Sequence, residues 1–204
     1  MEFTRKSTAR AAVPARRSGS ARVLRIIGGA WRGRKLRFAA GAGIRPTPDR
    51  VRETLFNWLG PAIAGARCLD LFAGSGALGL EALSRGAAHV TFVEQDATAA
   101  RELRSRLDEW RAADALVERA EALRFLAGAA SPCDVVFLDP PYDSDLLGRG
   151  AALLEARGWL APAVRIYVEC AARSGLPQLP PAWRLLKAKR AGEVGYHLFA
   201  HAAP

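Results

Sequence analysis

Residues 68–85 constrain what this chain can fold into more than any other segment. The apolar run Cys68-Leu69-Asp70-Leu71-Phe72 passes into Ala73-Gly74-Ser75-Gly76-Ala77-Leu78-Gly79 and then into the helical stretch Leu80 to Arg85. That order predicts a strand, a glycine turn and a helix N-terminus. Glycines at 74 and 76 let the backbone approach a ligand closely, and free N–H groups at the positive helix end favour a carboxylate or phosphate. A second strand, His89-Val90-Thr91-Phe92-Val93-Glu94, ends in an acid about twenty residues beyond Gly74, the spacing at which Rossmann-like folds hold ribose hydroxyls. A nucleoside cofactor is implied, with Gly74, Ser75, Gly76, Glu94 and Gln95 as candidate contacts.

The alternation continues along the chain. A helix is predicted over 97–111, a strand near 115–119, a helix over 122–127, a strand from Asp134 to Leu138, a helix over 146–156 and a strand over 165–170. Repeated β-α-β-α order implies a parallel sheet with helices on both faces. Two further strand-like runs, 183–188 and 194–200, are joined by Lys189-Arg190-Ala191-Gly192-Glu193 with no helix between them, so they should form an antiparallel hairpin. The expected class is α/β: a Rossmann-like, doubly wound, seven-stranded, mainly parallel sheet ending in an antiparallel hairpin. A small basic hairpin and helix precede it. The expected organisation is a basic, disordered tail over 1–21, the extension over 22–60 and the catalytic domain over 61–204.

Asp139-Pro140-Pro141-Tyr142 follows the apolar run Val135-Val136-Phe137-Leu138 and so sits at a strand end. The prolines fix φ and remove two backbone donors, leaving carbonyls and the Asp139 carboxylate as acceptors. Tyr142 adds an aromatic face. Together they describe a pocket for a planar amino group. Gly74 to Gly79 also spells G-x-G-x-x-G, so a nicotinamide or flavin enzyme competes with a methyltransferase. Asp70, just before the loop, and the acceptor pocket after the fourth strand favour the cationic cofactor S-adenosyl-L-methionine, because acids repel a pyrophosphate where water is excluded.

Charge is unevenly placed. Residues 1–60 hold 14 Lys+Arg against 3 Asp+Glu, whereas the rest of the chain is close to neutral within a total of +10. A near-neutral catalytic domain with a basic extension suits a polyanionic substrate. Residues 1–21, rich in Arg, Ser and Ala, read as a solvated tail or as a transit peptide. Val23, Arg25, Ile27 and then Arg34, Leu36, Phe38 flank Gly28-Gly29 and Gly33, which predicts a glycine-interrupted hairpin. A helix follows, with Thr47 as its N-cap, Pro48 at the first position and Asp49 in the first turn. Val51, Leu55, Trp58 and Leu59 form its core stripe, with Arg45, Arg50 and Arg52 off that stripe.

Taken jointly, Arg25 to Leu36, Arg45-Pro46-Thr47, Asp49 to Leu59, the glycine loop, Asp139 to Tyr142 and Ala191-Gly192 resemble the bacterial RsmD-type methyltransferases, which modify the exocyclic N2 of a guanine in small-subunit (16S) ribosomal RNA. The resemblance spans nearly the whole chain. It implies methyl transfer from S-adenosyl-L-methionine, with Asp139 and Pro140 accepting the amino hydrogens and Tyr142 stacking on the base. It also implies that the segment from Arg45 to Leu59 closes over cofactor and nucleotide, and that the substrate is an assembling 30S particle. Asp70 and Asp139 join the cofactor contacts. Where the family carries Asn or Asp as an adenine contact, this chain has Glu121 before Ala122, which moves that contact toward the Ala122 backbone. Arg32, Arg34, Lys35, Arg45, Arg50 and Lys187 are the candidate phosphate contacts.

No run reaches the roughly 18 apolar residues of a membrane span. Cys68, Cys133 and Cys170 lack metal-ligand spacing and read as buried hydrophobes in a reducing cytoplasm. The expectation is therefore a cytoplasmic monomer with no metal and no membrane partner. Other readings stay open: the same chemistry on adenine N6 of DNA or RNA or on a protein glutamine, an NAD-dependent oxidoreductase, and a non-catalytic RNA-binding module.

Overall fold

The computed structural model describes residues 22–38 and 47–201. Strands Arg67–Asp70 (β3), His89–Val93 (β4), Ala115–Glu118 (β5), Cys133–Leu138 (β6), Leu160–Ala171 (β7), Trp183–Ala191 (β8) and Val194–His201 (β9) form one sheet in the order β5-β4-β3-β6-β7-β9-β8. Strands β3 to β7 pair in parallel, and β9 lies antiparallel between β7 and β8. Helices Ala77–Ser84 (α2), Ala97–Trp110 (α3), Ala122–Leu126 (α4) and Leu146–Ala156 (α5) make the crossovers. The expected architecture is therefore present.

Strand parity sorts the core into two layers. Cys68, Val90, Val135, Phe137 and Tyr167 face one cluster, with α2 and α3 above them. Leu69, Val136, Leu138, Ile166 and Val168 face the other, under α4 and α5. Burial on both faces is why β6 reads as the continuous apolar run Val135 to Leu138 rather than as an alternating one. The β8–β9 turn is tighter than predicted. Ala191 already pairs with Val194, leaving only Gly192 and Glu193 in the loop, and Gly192 takes φ +62° as a two-residue hairpin loop demands.

The N-terminal hairpin pairs Arg22–Arg25 (β1) with Lys35–Phe38 (β2). Its alternation buries Leu24, Leu36 and Phe38 while Val23 and Arg37 stay exposed, and the buried set joins the cluster around helix Asp49–Leu59 (α1) and α3. Trp31 meets Trp110 edge-on at 5.1 Å. The helix cap departs from the sequence reading. Pro48, not Thr47, is the N-cap residue and no side chain caps the helix, because the Thr47 hydroxyl is committed to Glu169 instead.

Helix α2 holds the hairpin by its backbone, through the Glu81 side chain and the Ser84 carbonyl. The Glu81 carboxylate accepts from Ile27 N at 2.8 Å and Gly28 N at 2.9 Å, and Ala30 N donates to the Ser84 carbonyl at 2.7 Å. Gly29 has φ +77°, and a Cβ there would lie 1.7 Å from the Ser84 carbonyl oxygen. Gly33 has φ +85° with open space around it. Gly29→Ala is therefore expected to lower the melting temperature well beyond Gly33→Ala, which loses only the backbone preference of about 1 kcal/mol. Parallel thermal melts compare the two, and equal losses would show that the close approach is unimportant.

Candidate active site

Strand order reverses between β3 and β6, so the loops leaving their carboxyl ends diverge and open a crevice. A cavity of about 1530 Å³ lies there. Gly74 and Ser75 of the glycine turn line it, with Asp70, Glu94, Gln95, Glu121 and Ala122 from neighbouring strand ends and Asp139, Pro140 and Tyr142 beyond β6. The two elements that carry chemistry in the sequence, the glycine turn at Gly74 and the segment from Asp139, thus share one chamber. Gly76 is not among its lining residues. It is the N-cap of α2 with φ +75°, and a Cβ on it would strike Leu103 at 2.6 Å. Gly79 lets α2 sit against β4, since a Cβ there would come within 2.2 Å of the Phe92 ring.

Acids organise the cofactor side. Glu94 braces the turn, accepting from Gly74 N at 2.8 Å and Asp96 N at 2.7 Å. A carboxylate has about four lone-pair positions, so it retains acceptor capacity toward the cavity. Buried Asp70 accepts from Gly79 N at 3.0 Å. Burial pushes its pKa up to about 7, the Gly79 N–H opposes this, and nearby Glu94 adds to it. Glu121 caps α4 through Leu123 N and Arg124 N, at 3.1 and 2.9 Å, so its oxygens are already engaged beside Ala122. Asp70, Glu94 and Asp139 along one wall favour a cation and disfavour a pyrophosphate. This set of acceptors, beside the glycine turn, fits a cationic cofactor such as S-adenosyl-L-methionine.

The acceptor side contains a network that the sequence reading missed. Glu169, only 1% exposed, lies in β7 beneath Asp139. It accepts from Tyr167 Oη at 2.8 Å, Thr47 Oγ1 at 2.9 Å and Tyr142 Oη at 3.3 Å. The Thr47 hydroxyl also stands 3.5 Å from Asp139 Oδ2. Three hydroxyls from three segments therefore converge on one carboxylate, tethering the Tyr142 ring and the start of α1 to the sheet. The available signal was an acid inside the apolar strand Ile166-Tyr167-Val168-Glu169-Cys170, a position acids rarely occupy without partners.

Burial first, then the charges of Glu169 and Asp70, hold the Asp139 pKa well above the usual carboxylate range, with the Thr47 hydroxyl opposing. Glu169 is also raised by burial, against the three hydroxyls that donate to it. A reaction needing ionised Asp139 should gain rate as pH rises through this elevated value. Glu169→Gln removes one of the elevating charges, so the acidic limb of the pH–kcat/KM profile is expected to move to lower pH. An unmoved limb would show that Asp139 does not control it.

Four arginines, Arg37, Arg106, Arg173 and Arg190, line the cavity. The candidate phosphate contacts Arg32, Arg34, Lys35, Arg50 and Lys187 are exposed outside it, and Arg45 lies outside the described residues. Arg34 is spread over the Trp110 ring at 5.3 Å. Arg52 is wholly buried, donating to the Arg25 carbonyl and Asp49, which makes it a structural residue. Among the described residues no group of three or more His, Cys, Asp or Glu is arranged to hold a metal, and no helix is long and apolar enough to cross a membrane.

The model of the family described as Conserved hypothetical protein 95 matches residues 24–200. Ribosomal RNA small subunit methyltransferase D of Escherichia coli strain K12 is 51% identical over 186 residues, covering 91% of this chain and 93% of that protein. The chain belongs to the Ribosomal RNA small subunit methyltransferase D family. The Haemophilus influenzae member is 47% identical over 181 residues, covering 86% and 93% of the two chains. The solved Escherichia coli protein yhhF, described as a methyltransferase, superposes with a TM-score of 0.83 at 50% identity, over 89% of this chain and 99% of that one. The family match begins in β1 and ends in β9, so it takes in the hairpin as well as the sheet.

Proposed function

We propose that this chain transfers a methyl group from S-adenosyl-L-methionine to the exocyclic N2 of one guanine in small-subunit (16S) ribosomal RNA, within an assembling 30S particle. The supporting observation is that Asp139, Pro140 and Tyr142 share a cavity with the glycine turn, beside acids suited to a cationic cofactor. The substrate class follows from relatives named ribosomal RNA small subunit methyltransferases.

The bound cofactor supplies an electrophilic methyl on a cationic sulfur. Guanine N2 is a poor nucleophile because its lone pair is delocalised into the purine. The Asp139 carboxylate and Pro140 carbonyl accept its two hydrogens, aim the nitrogen and offset the positive charge that develops there. Tyr142, held by its hydroxyl to Glu169, offers its ring to the base, a stacking contact of about 1–3 kcal/mol. The base reaches this chamber only when unstacked or already single-stranded. The proton leaves to Asp139 or to water.

The particle reading is tested by offering the enzyme deproteinised 16S RNA and unmethylated small subunits in parallel. Faster methylation of the particle is expected. Equal or faster reaction on free RNA would remove the particle from the proposal.

A further inference from the structure

We infer that the face of β8 beside α1 is a landing track for the sugar-phosphate backbone flanking the target base, with Arg184, Lys187 and Lys189 as its contacts. The inference rests on the ribosomal RNA reading above and adds where that RNA lies. β8 is an edge strand of the sheet, and its sequence Trp-Arg-Leu-Leu-Lys-Ala-Lys-Arg-Ala contains no acid. In a regular strand, Arg184 and Lys187 would point to opposite faces, being an odd number of residues apart. A bulge between Leu185 and Lys187 changes this. Arg184 pairs with Ala200, Lys187 with Leu198 and Lys189 with Tyr196, which are alternate residues of β9. All three cations therefore share one face.

That face is the one on which α1 packs. Tyr196 stacks on Trp58 of α1 at 5.3 Å, and Leu186, inside the bulge, packs against the cluster containing Leu198 and Tyr196. The register also ties the row to the reaction site: Lys189 is level with Tyr196 and, one strand further, with Glu169 beneath Asp139. Two inter-strand spacings, about 10 Å, separate Lys189 from Glu169 across the sheet. Lys187 and Arg184 follow outward along the edge, level with Tyr167 and Arg165. Arg50 is exposed in the first turn of α1, the helix that packs on this face through Trp58.

Arg184, Lys187 and Lys189 are exposed, and among the described residues none has a side-chain hydrogen bond or ion pair. Cleft-lining Arg106 and Arg173, by contrast, are paired with Glu109 and Asp143. Cations at alternate residues, about 6.6–6.8 Å apart along a strand, match a repeating anion better than a single one. A polyphosphate backbone is such an anion, and contacts of this kind set position rather than sequence. Basic residues on an edge strand also discourage edge-to-edge pairing, and the test separates that role from RNA binding.

The variant Arg184→Gln/Lys187→Gln/Lys189→Gln keeps a polar edge while removing the charge. Binding of an unmodified 16S RNA transcript is measured at several salt concentrations for wild type and variant, with S-adenosylhomocysteine binding as the check on folding. The slope of log K against log[salt] is expected to fall by about 2–3, from the loss of three phosphate contacts, and affinity at low salt to weaken about tenfold or more. Each single substitution should remove about one third of that slope, which covers the case where the triple variant folds poorly. An unchanged slope and affinity, with or without new self-association, would overturn the track. Failure of the wild type to methylate unmethylated small subunits would instead defeat the reading beneath it.

Discussion

Asp139→Ala is expected to slow methyl transfer by about 10²–10⁴-fold while leaving S-adenosylhomocysteine binding within about tenfold of wild type. The range is that of removing a positioned acceptor or proton-accepting group from a water-poor site. Cofactor affinity is expected to survive because Gly74 is braced by Glu94 and Asp70 by Gly79 N, with no bond to Asp139. Asp139→Asn is the sharper comparison. It keeps one carbonyl acceptor but adds an N–H₂ that competes with the amino group, and it carries no charge to offset the developing cation. It should therefore lose most of the same activity. Single-turnover rates with calorimetric binding of S-adenosylhomocysteine separate the two quantities, and near-normal turnover in Asp139→Ala would leave the chemistry without its proposed acceptor.

Glu81→Ala should carry a large stability cost. Its fully buried carboxylate accepts from Ile27 N, Gly28 N and Arg85 Nε, and lies 3.5 Å from buried Arg52. Truncation leaves the Arg52 guanidinium and two backbone N–H groups short of an acceptor at the seam between hairpin and sheet. Breaking a buried pair from one side costs about 3–5 kcal/mol, a large share of the roughly 5–15 kcal/mol that holds a domain together. Denaturant unfolding should show this loss, with early proteolytic exposure of the hairpin. A change under about 1 kcal/mol would mean that the apolar contacts of Leu24, Leu36 and Phe38 hold the hairpin alone.

The fold was legible because its signals are local and periodic. Glycine spacing after β3, the acid after β4 and the apolar run of β6 each follow from the backbone conformation or burial at that position. Asp139 and the glycine turn were legible as a pair for the same reason, since α/β topology brings strand ends to one edge. What escaped was long-range pairing. Thr47 looked like a helix cap, and only the fold shows that its hydroxyl reaches Glu169, far along the chain. Arg52 looked like one more cation of a basic segment until Glu81, Asp49 and the Arg25 carbonyl closed around it. The tighter β8–β9 turn and the β8 bulge are likewise properties of a pairing register that no single strand encodes.

The central claim is that one chamber brings a methyl donor to a guanine amino group of small-subunit ribosomal RNA. The most direct measurement is nucleoside mass spectrometry of 16S RNA after incubating unmethylated small subunits with the purified chain and isotopically labelled S-adenosyl-L-methionine. The expected product is N2-methylguanosine carrying one labelled methyl, present with wild type and missing with Asp139→Ala. Label in N6-methyladenosine, or label in N2-methylguanosine that persists at full level with Asp139→Ala, would contradict the account.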